Sequence, residues 1–320
     1  LKIEVSGLSL TAFLKLVEIR TKIASLTPFL MGTLYFLYHF SNFNSLNFIL
    51  LLFSLLCVDM GTTAVNNYQD FLRSKKKTGY NYEQHNAVVN YNLSKSRVKL
   101  IIFTLFFLAV VSGLLLYLYS DVIVLLIGII SFIIGILYTS GPVPISRTPL
   151  GEIFSGFTMG FFITFLAVYV HNLNLINLFF ELDLLIIQLD YLEIFKILIF
   201  SAPLILGISN IMLANNICDI EDDLANQRYT LPIYISRSSS LILFKSLYYL
   251  SYLIIIAAVI FNILPTLSLL SLLSFFKIQQ NINKFEKEQS KKETFILSVK
   301  NFVILNYSTA LTIILALYFK

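Results

Sequence analysis

The sequence predicts an all-α, polytopic membrane protein, built as a bundle of about nine transmembrane helices. Hydrophobic residues make up 57% of the 320 residues, whereas charged residues make up only 13%. The apolar residues come in blocks, and most blocks approach the roughly 20 residues that a helix needs to cross a bilayer. Because lipid offers no partners to free backbone N–H and C=O groups, each block is expected to form a helix.

Polar segments separate the apolar blocks and set the expected boundaries of the helices. The predicted spans are 22–40, 45–70, 98–119, 121–139, 152–171, 195–219, 239–262, 264–277 and 299–319. The connections near 120 and 263 are very short, so the spans on either side of each are expected to be antiparallel. We expect one transmembrane domain over 1–320, with 1–21 as a cytoplasmic N-terminal segment.

The basic residues determine the expected orientation, because Lys and Arg are retained on the cytoplasmic side of membrane proteins. With the N-terminus inside and about nine spans, only Lys196 and Lys320 of the 23 Lys and Arg residues fall outside. The sequence therefore predicts a multi-pass protein of the cell membrane with its C-terminus outside. The net charge of +5 follows from this bias and suits anionic lipid headgroups rather than nucleic acid.

Two of the predicted helices carry polar stripes at their cytoplasmic ends. One face of the second span holds residues at steps of four, three and four: Asp59, Thr63, Asn66 and Asp70. One face of the sixth span holds residues at i, i+4 and i+8: Asn215, Asp219 and Asp223. A single stripe is also compatible with a helix end whose acids reach water. Two stripes on one side of the membrane favour a shared site.

Carboxylate and carboxamide oxygens are the ligands that hard cations such as Mg²⁺ take, often with water and phosphate completing the shell. Two facing stripes would therefore hold a diphosphate between bridging metal ions. Basic residues follow each stripe, namely Arg228 after Asp223, and Arg73 with 75–77 after Asp70. Guanidinium groups bind phosphate well, so Arg228 is expected to contact it. The lysines at 75–77 are better explained as positive-inside surface residues.

These motifs resemble those of the UbiA superfamily of intramembrane prenyltransferases, and the resemblance extends over about 22–319. The run Asn66-Asn-Tyr-Gln-Asp70 is similar to the first Asn/Asp-rich motif, and Asp219-Ile-Glu-Asp-Asp223 with Arg228-Tyr-Thr-Leu is similar to the second. Within the superfamily, the chain looks most like the 1,4-dihydroxy-2-naphthoate prenyltransferases of menaquinone synthesis. The supporting residues lie at 215–223, in Tyr138-Thr-Ser-Gly-Pro-Val-Pro144 and in Leu150-Gly-Glu152.

The resemblance implies Mg²⁺-dependent transfer of a polyprenyl group from polyprenyl diphosphate to an aromatic acceptor, with the active site toward the cytoplasm. It implies metal ligands at Asn66, Asp70, Asp219 and Asp223, and catalytic roles for Arg228, Tyr68 and Asp70. It implies substrate contacts at Asn66, Asn67, Arg73, Tyr138, Arg147, Asn215, Asn216 and Arg228. An allylic carbocation needs a dry pocket with aromatic faces, which Tyr68 and Tyr138 are expected to supply.

The first motif departs from the pattern of the superfamily. Asn67 stands where Asp is common, and Ser74 stands where a further Asp is expected. Glu83 is the candidate for a substitute metal ligand. The number of metal ions therefore remains open. In the second motif Gln227-Arg228 replaces the usual Gly-Lys pair, which keeps a cation in place.

Two other functions are compatible with the sequence. One is a prenyltransferase with another acceptor, such as a homogentisate-like ring, a haem or a lipid headgroup. The other is a cation-coupled transporter, which would carry polar residues near the midplane of several helices. The acids here lie almost entirely at helix ends, with Asp59 as the exception, and this favours the enzyme. The loop 278–298 is expected to be a solvated connector. Prenyl chain length and oligomeric state are not determined.

Overall fold

The computed structural model describes residues 9–73, 86–181 and 184–320. The helices of the N-terminal half are α1 (Leu10–Leu16), α2 (Ile23–His39), α3 (Ser45–Arg73), α4 (Ala87–Asn90), α5 (Lys95–Leu118) and α6 (Val122–Thr139). Short 3₁₀ turns lie at Ile19–Lys22 and Ile145–Arg147. Side-chain caps determine where α5 and α6 begin: Ser94 Oγ accepts from Arg97 N, and Asp121 Oδ1 accepts from Ile123 N.

The C-terminal half begins with a rod composed of α7 (Gly151–Ser155), a π-helical segment (Gly156–Phe162) and α8 (Ile163–Tyr169). The remaining helices are α9 (Tyr191–Cys218), α10 (Ile220–Ala225), α11 (Leu231–Ile235), α12 (Arg237–Ile260), α13 (Phe275–Lys287) and α14 (Ile296–Tyr318). A 3₁₀ segment, Thr266–Ser274, leads directly into α13.

Seven helical stretches among the described residues are long and apolar enough to cross a membrane: α3, α5, α6, α7–α8, α9, α12 and α14. This confirms a mostly helical, multi-pass membrane protein. The predicted number of about nine spans stays a prediction. Two further candidates are α2, which has 17 residues, and the continuous stretch of the Thr266–Ser274 segment and α13.

A β-hairpin follows α8 and corrects the prediction of an entirely helical chain. Strands β1 (Ile176–Glu181) and β2 (Leu184–Leu189) pair antiparallel, with Ile176 opposite Leu189. The hairpin lies between the fifth and sixth predicted spans. Its strands are rich in Leu, Ile and Phe, and the β-branched Ile and aromatic Phe residues among them fit a pleated surface.

The segment predicted as a solvated connector over 278–298 is largely helical. Helix α13 continues to Lys287 and buries Ile278, Ile282 and Phe285. These three residues follow the i, i+4, i+7 spacing of one helical face, which the many Lys, Glu and Asn residues around them obscured. The connector is therefore confined to the short loop before α14.

Helix α9 occupies a central position, because it packs against α12, α14 and the α7–α8 rod. The rod approaches α9 closely at Gly156 and Gly160, a small-xxx-small pair typical of membrane helices. A Cβ built on Gly160 would lie 2.7 Å from the backbone N of Ile205. Glycine is required there by close backbone contact, which holds the middle of α9 beside the rod.

Candidate active site

A cavity of about 1150 Å³ is lined by residues of α3, α5, α6, α7, α9 and α10. Its lining changes character along the helices. On α3, Leu51 and Leu55 line the apolar part, while Asn66 and Asp70 line the polar part. At 1.5 Å per residue, Leu51 and Asp70 are roughly 28 Å apart along the helix axis. The cavity thus joins a polar end to a long apolar channel.

The stripe predicted on the sixth span lines the polar end of this cavity, with Asn215, Asp219 and Asp223 all contributing. Helix α9 ends at Cys218, and α10 begins at Ile220, but the helical step continues across the junction. Asp219 N donates to Asn215 O at 3.1 Å, and Asp223 N donates to Asp219 O at 2.7 Å. Because the helical hydrogen bonds continue across the junction, the three side chains lie on one face, as the spacing of four residues predicts.

Asp223 is the most buried acid of the stripe, with 2% of its surface exposed. Its Oδ2 accepts from Thr230 Oγ1 at 3.1 Å, and its Oδ1 lies 3.4 Å from Arg228 Nε. Burial raises the pKa of the Asp223 carboxyl above its ordinary value, while the neighbouring Arg228 guanidinium acts to lower it. A cation bound beside Asp223 would compensate the same desolvation.

Arg228 also joins two loops at the polar end of the cavity. Its Nη2 donates to Ser146 O at 3.3 Å, and the adjacent Tyr229 N donates to Arg147 O at 3.1 Å. These contacts place Arg147 and Arg228 together in the lining, close to the carboxylates. Tyr138, at the end of α6, lines the same region. Two guanidinium groups therefore lie where a phosphate would need charge compensation.

The whole stripe on α3 lines the cavity. Asn66 and Asp70 both line it, as do Thr63 and Asp59. The Asn66 Oδ1 atom is buried and, within the described part of the chain, has no hydrogen-bond partner. A buried oxygen without a donor is costly, so this atom is suited to a bound cation or a substrate proton.

Two predicted site residues beside the first stripe, Asn67 and Tyr68, have side chains that do not line the cavity, so their predicted roles stay predictions. Asn67 is 5% exposed, and its Nδ2 donates to Leu16 O at 3.1 Å and to Glu18 Oε1 at 3.0 Å. Tyr68 packs beside Phe71 in a separate apolar cluster with Leu16. Both residues hold the N-terminal segment and α5 against α3.

The predicted substrate contact at Asn216 also stays a prediction, since its side chain does not line the cavity that its neighbour Asn215 lines. It is 1% exposed, and its Nδ2 donates to Glu152 Oε1 at 2.8 Å. Ser209 Oγ donates to Glu152 O at 2.9 Å. The contact fixes α7 against α9 behind the polar end. Asn216 is thus a positioning residue in the structure.

The sequence reasoning missed a cation that the structure places in the site. Lys291, in the loop before α14, lines the cavity and lies 2.5 Å from Asp219 Oδ2. It also donates to Asn215 Oδ1. A lysine in a polar loop carries no sequence signal for this position. The side chain of Arg73 and all of Glu83 lie outside the described residues, so their predicted roles remain predictions.

The donor set fits a magnesium ion that shares its ligands with a phosphate. No three His, Cys, Asp or Glu side chains converge on one point anywhere in 9–73, 86–181 or 184–320. The cavity instead mixes carboxylates with the carboxamides of Asn66 and Asn215. Mg²⁺ is commonly held by one or two carboxylates, with water and substrate phosphate as its other ligands. Asn66, Asp70, Asp219 and Asp223 are the residues that fit this role.

The fold and the cavity define an intramembrane enzyme for a lipid-like substrate with an anionic head. The UbiA prenyltransferase family matches residues 25–302, and the chain belongs to this family. The protein is therefore a membrane-bound prenyltransferase. It is 32% identical over 240 residues to 1,4-dihydroxy-2-naphthoate octaprenyltransferase of Bacillus subtilis (strain 168), a match that covers 75% of this chain and 71% of that protein.

Solved structures of distant relatives share the fold. The apo structure of a UbiA homolog from Aeropyrum pernix K1 superposes with a TM-score of 0.68 at 17% identity, covering 91% of this chain and 97% of that chain. A UbiA homolog from Archaeoglobus fulgidus bound to GPP and Mg²⁺ gives a TM-score of 0.66 at 13% identity, covering 96% and 99%. At these identities the likeness establishes the architecture alone.

Proposed function

We propose that this protein transfers a polyprenyl group from a polyprenyl diphosphate to 1,4-dihydroxy-2-naphthoate, in menaquinone synthesis. The observation that carries the proposal is the cavity itself, in which a carboxylate- and guanidinium-lined end continues into an apolar channel. A polyprenyl diphosphate has the same two parts in the same order. The name of the Bacillus subtilis relative supports the choice of acceptor.

The polar end would hold the diphosphate head. Asn66 and Asp70 on one side and Asp219 and Asp223 on the other are the proposed ligands for Mg²⁺. The metal, when bound, would neutralise diphosphate charge and make it a better leaving group. Arg228, held at 3.3 Å from Ser146 O, is positioned to bind the departing diphosphate by charge-assisted hydrogen bonds.

The apolar channel would take the prenyl chain and keep water from the reacting carbon. Its walls include Leu55, Phe132 and Met159. Helix α6 lines the cavity and has only Val124 fully buried. We therefore propose that lipid lies against the outer side of α6 and that the chain enters sideways beside it. A dry apolar wall is what a reactive allylic cation requires.

The aromatic acceptor would bind near Tyr138 and Arg147, at the end of α6 and in the turn that follows it. Tyr138 offers a ring and a hydroxyl at the end of that helix, and Arg147 offers a guanidinium in the next turn. A naphthoate carries a carboxylate, and arginine pairs with carboxylates in a planar geometry. This pairing favours an acidic acceptor over a neutral ring. The carbon that attacks would then face the head of the prenyl donor.

We propose that the polar end of the cavity faces the cytoplasm, with about nine spans, the N-terminus inside and the C-terminus outside. The same end carries basic residues at the starts of neighbouring helices, Lys95 on α5 and Arg237 on α12. Positive residues mark the cytoplasmic side. Cysteine-accessibility labelling at Lys95 and Tyr318 from each side of sealed vesicles would test this orientation.

Product formation by purified protein tests the function. The protein in lipid nanodiscs is incubated with Mg²⁺, a radiolabelled polyprenyl diphosphate and one acceptor at a time: dihydroxynaphthoate, homogentisate, haem or a lipid headgroup. We expect a prenylated naphthalene product that disappears when EDTA removes the metal. A product with another acceptor, and none with dihydroxynaphthoate, would overturn the acceptor assignment. Activity that survives EDTA would overturn the metal requirement.

A further inference from the structure

The loop between α13 and α14 inserts an ammonium group between two oxygens of the candidate metal site. Lys291 Nζ lies 2.5 Å from Asp219 Oδ2 and donates as well to Asn215 Oδ1. We propose that Lys291 is a placeholder for the divalent cation: it holds these oxygens together in the metal-free protein and binds the diphosphate once the cation displaces it. The inference rests on the proposed function of the cavity.

The ammonium is a reasonable substitute for a metal ion at this position. A lysine head is a compact, strongly hydrated point charge, unlike the planar guanidinium of arginine. It contacts one carboxylate oxygen and one carboxamide oxygen, which are the donor types that Mg²⁺ takes. Like charges repel at such distances, so a metal ion and Lys291 cannot share the same two oxygens. Binding of one therefore excludes the other.

Hydrogen bonds fix the backbone around Lys291, whereas the Lys291 side chain can change its conformation while the loop stays in place. Thr294 Oγ1 accepts from Ser290 N at 2.8 Å and donates to Glu288 O at 2.8 Å. Phe295 N donates to Ser290 O at 2.9 Å. These bonds anchor both ends of the loop. The Lys291 side chain itself is 27% exposed, and its four-carbon stem leaves the head free to reorient within the cavity.

The displaced head remains in the cavity and needs an anion. Its ammonium lies 5.3 Å from the centre of the Phe295 ring, and both residues line the cavity. Asp219 would by then be committed to the metal, and Asp223 faces Arg228 and Thr230. The diphosphate brings new acceptor oxygens to the same place, and a cation beside a bridging or departing phosphate oxygen is favourable.

Two effects of opposite sign separate this role from a merely structural ion pair. Removing the ammonium removes a competitor for Asn215 and Asp219, so the metal should bind more tightly. The same change removes a ligand of the diphosphate, so the anion should bind more weakly. A lysine that only stabilised the loop would weaken both, because the geometry of Asp219 would be lost in either case.

The test measures metal and anion binding without acceptor or prenyl chain. Free Mn²⁺ is followed by electron paramagnetic resonance during titration of the wild type and of Lys291→Ala, Lys291→Met, Lys291→Arg and Lys292→Ala. Lys291→Ala and Lys291→Met are expected to bind Mn²⁺ roughly 3- to 10-fold more tightly. Lys291→Arg keeps the charge on a larger, planar head and should fall between the wild type and the neutral variants. Lys292→Ala changes a neighbouring exposed lysine that does not line the cavity and should have no effect.

Inorganic diphosphate is then titrated at saturating Mn²⁺, with the shift in unfolding temperature as the readout. We expect Lys291→Ala and Lys291→Met to bind it at least about tenfold more weakly, in line with loss of a charge-assisted contact. Unchanged or weaker Mn²⁺ binding in both neutral variants would overturn the proposal, as would unchanged diphosphate binding. Failure of dihydroxynaphthoate prenylation by the wild type would refute the acceptor instead, because neither titration uses an acceptor.

Discussion

Lys22 and Asp59 form an ion pair inside the helix bundle, with 2.5 Å between Nζ and Oδ1 and side chains that are 2% and 15% exposed. Ser25 Oγ donates to the second carboxylate oxygen at 2.5 Å, and Lys22 also donates to Thr63 Oγ1 at 2.7 Å. This network joins the start of α2 to Asp59 and Thr63 of α3, which lie about two turns and one turn before Asn66. It explains why Asp59, the acid farthest from the helix end, is tolerated there.

Replacing Lys22 alone should destabilise the protein more than replacing both Lys22 and Asp59. In Lys22→Met the Asp59 carboxylate keeps its charge without its partner, and we expect a loss of about 3–5 kcal/mol in the free energy of unfolding. In Lys22→Met with Asp59→Asn, part of this loss should be recovered. Thermal or denaturant unfolding in detergent measures both. Losses that simply add in the double variant would show that the two charges do not interact.

Asp223 should be needed for turnover but not for folding. Asp223→Asn keeps the size of the side chain and removes its charge at the polar end of the cavity, so we expect turnover to fall by about 10²–10³-fold. The matched control is Glu221→Gln, since Glu221 lies on the same short helix but is 75% exposed and pairs with Arg237. Equal activity of Asp223→Asn and Glu221→Gln would remove Asp223 from the site.

Adding even a methyl group at Gly160 should destabilise the protein. A methyl group there would meet the Ile205 backbone at 2.7 Å, whereas one at Gly128 would meet nothing within 4 Å. Gly160→Ala is therefore expected to lower the free energy of unfolding by about 1–3 kcal/mol, through strain between the α7–α8 rod and α9. Gly128→Ala is expected to leave it unchanged or to raise it by up to about 1 kcal/mol, because Ala favours a helix interior over Gly. Similar unfolding temperatures for the two variants would argue against close contact at Gly160.

Tyr68 and Tyr138 should respond differently, although the sequence predicts both as site residues. Tyr138 lines the cavity, while Tyr68 packs in the apolar cluster beside Phe71. Tyr138→Leu is expected to raise the KM for the aromatic acceptor, because a ring beside the proposed acceptor position is lost. Tyr68→Phe is expected to leave kcat and KM unchanged. A fall in kcat for Tyr68→Phe, with normal stability, would restore the original assignment.

Helical periodicity predicted much of the site, because residues four apart on a helix share a face. It placed Asn66 and Asp70, and separately Asn215, Asp219 and Asp223, on sides that the structure brings to one cavity. Asn67, Tyr68 and Asn216 belong to neither stripe, and the family resemblance alone implied roles for them. One residue along a helix is a rotation of about 100°, which turns these three side chains toward neighbouring helices.

The other features that the sequence did not predict depend on tertiary contacts, which a single sequence does not reveal. Lys291 enters the site because α13 and α14 bring their loop beside the end of α9, and no local pattern encodes that approach. The buried face of α13 was obscured by its polar residues. The hairpin of β1 and β2 was overlooked because long apolar helices dominate the composition. The order of the spans, by contrast, follows from hydropathy alone.

We propose that α3 and α9–α10 present their oxygens to one diphosphate and its metal ions. The most direct test of this proposal is a crystal structure with Mn²⁺ and a non-reactive thiolodiphosphate analogue of the prenyl donor, in which anomalous scattering locates the metal. We expect anomalous density within the cavity, between Asn66 or Asp70 on α3 and Asp219 or Asp223 on the other side. Density bound to one helix alone, or found only at the protein surface, would contradict the account.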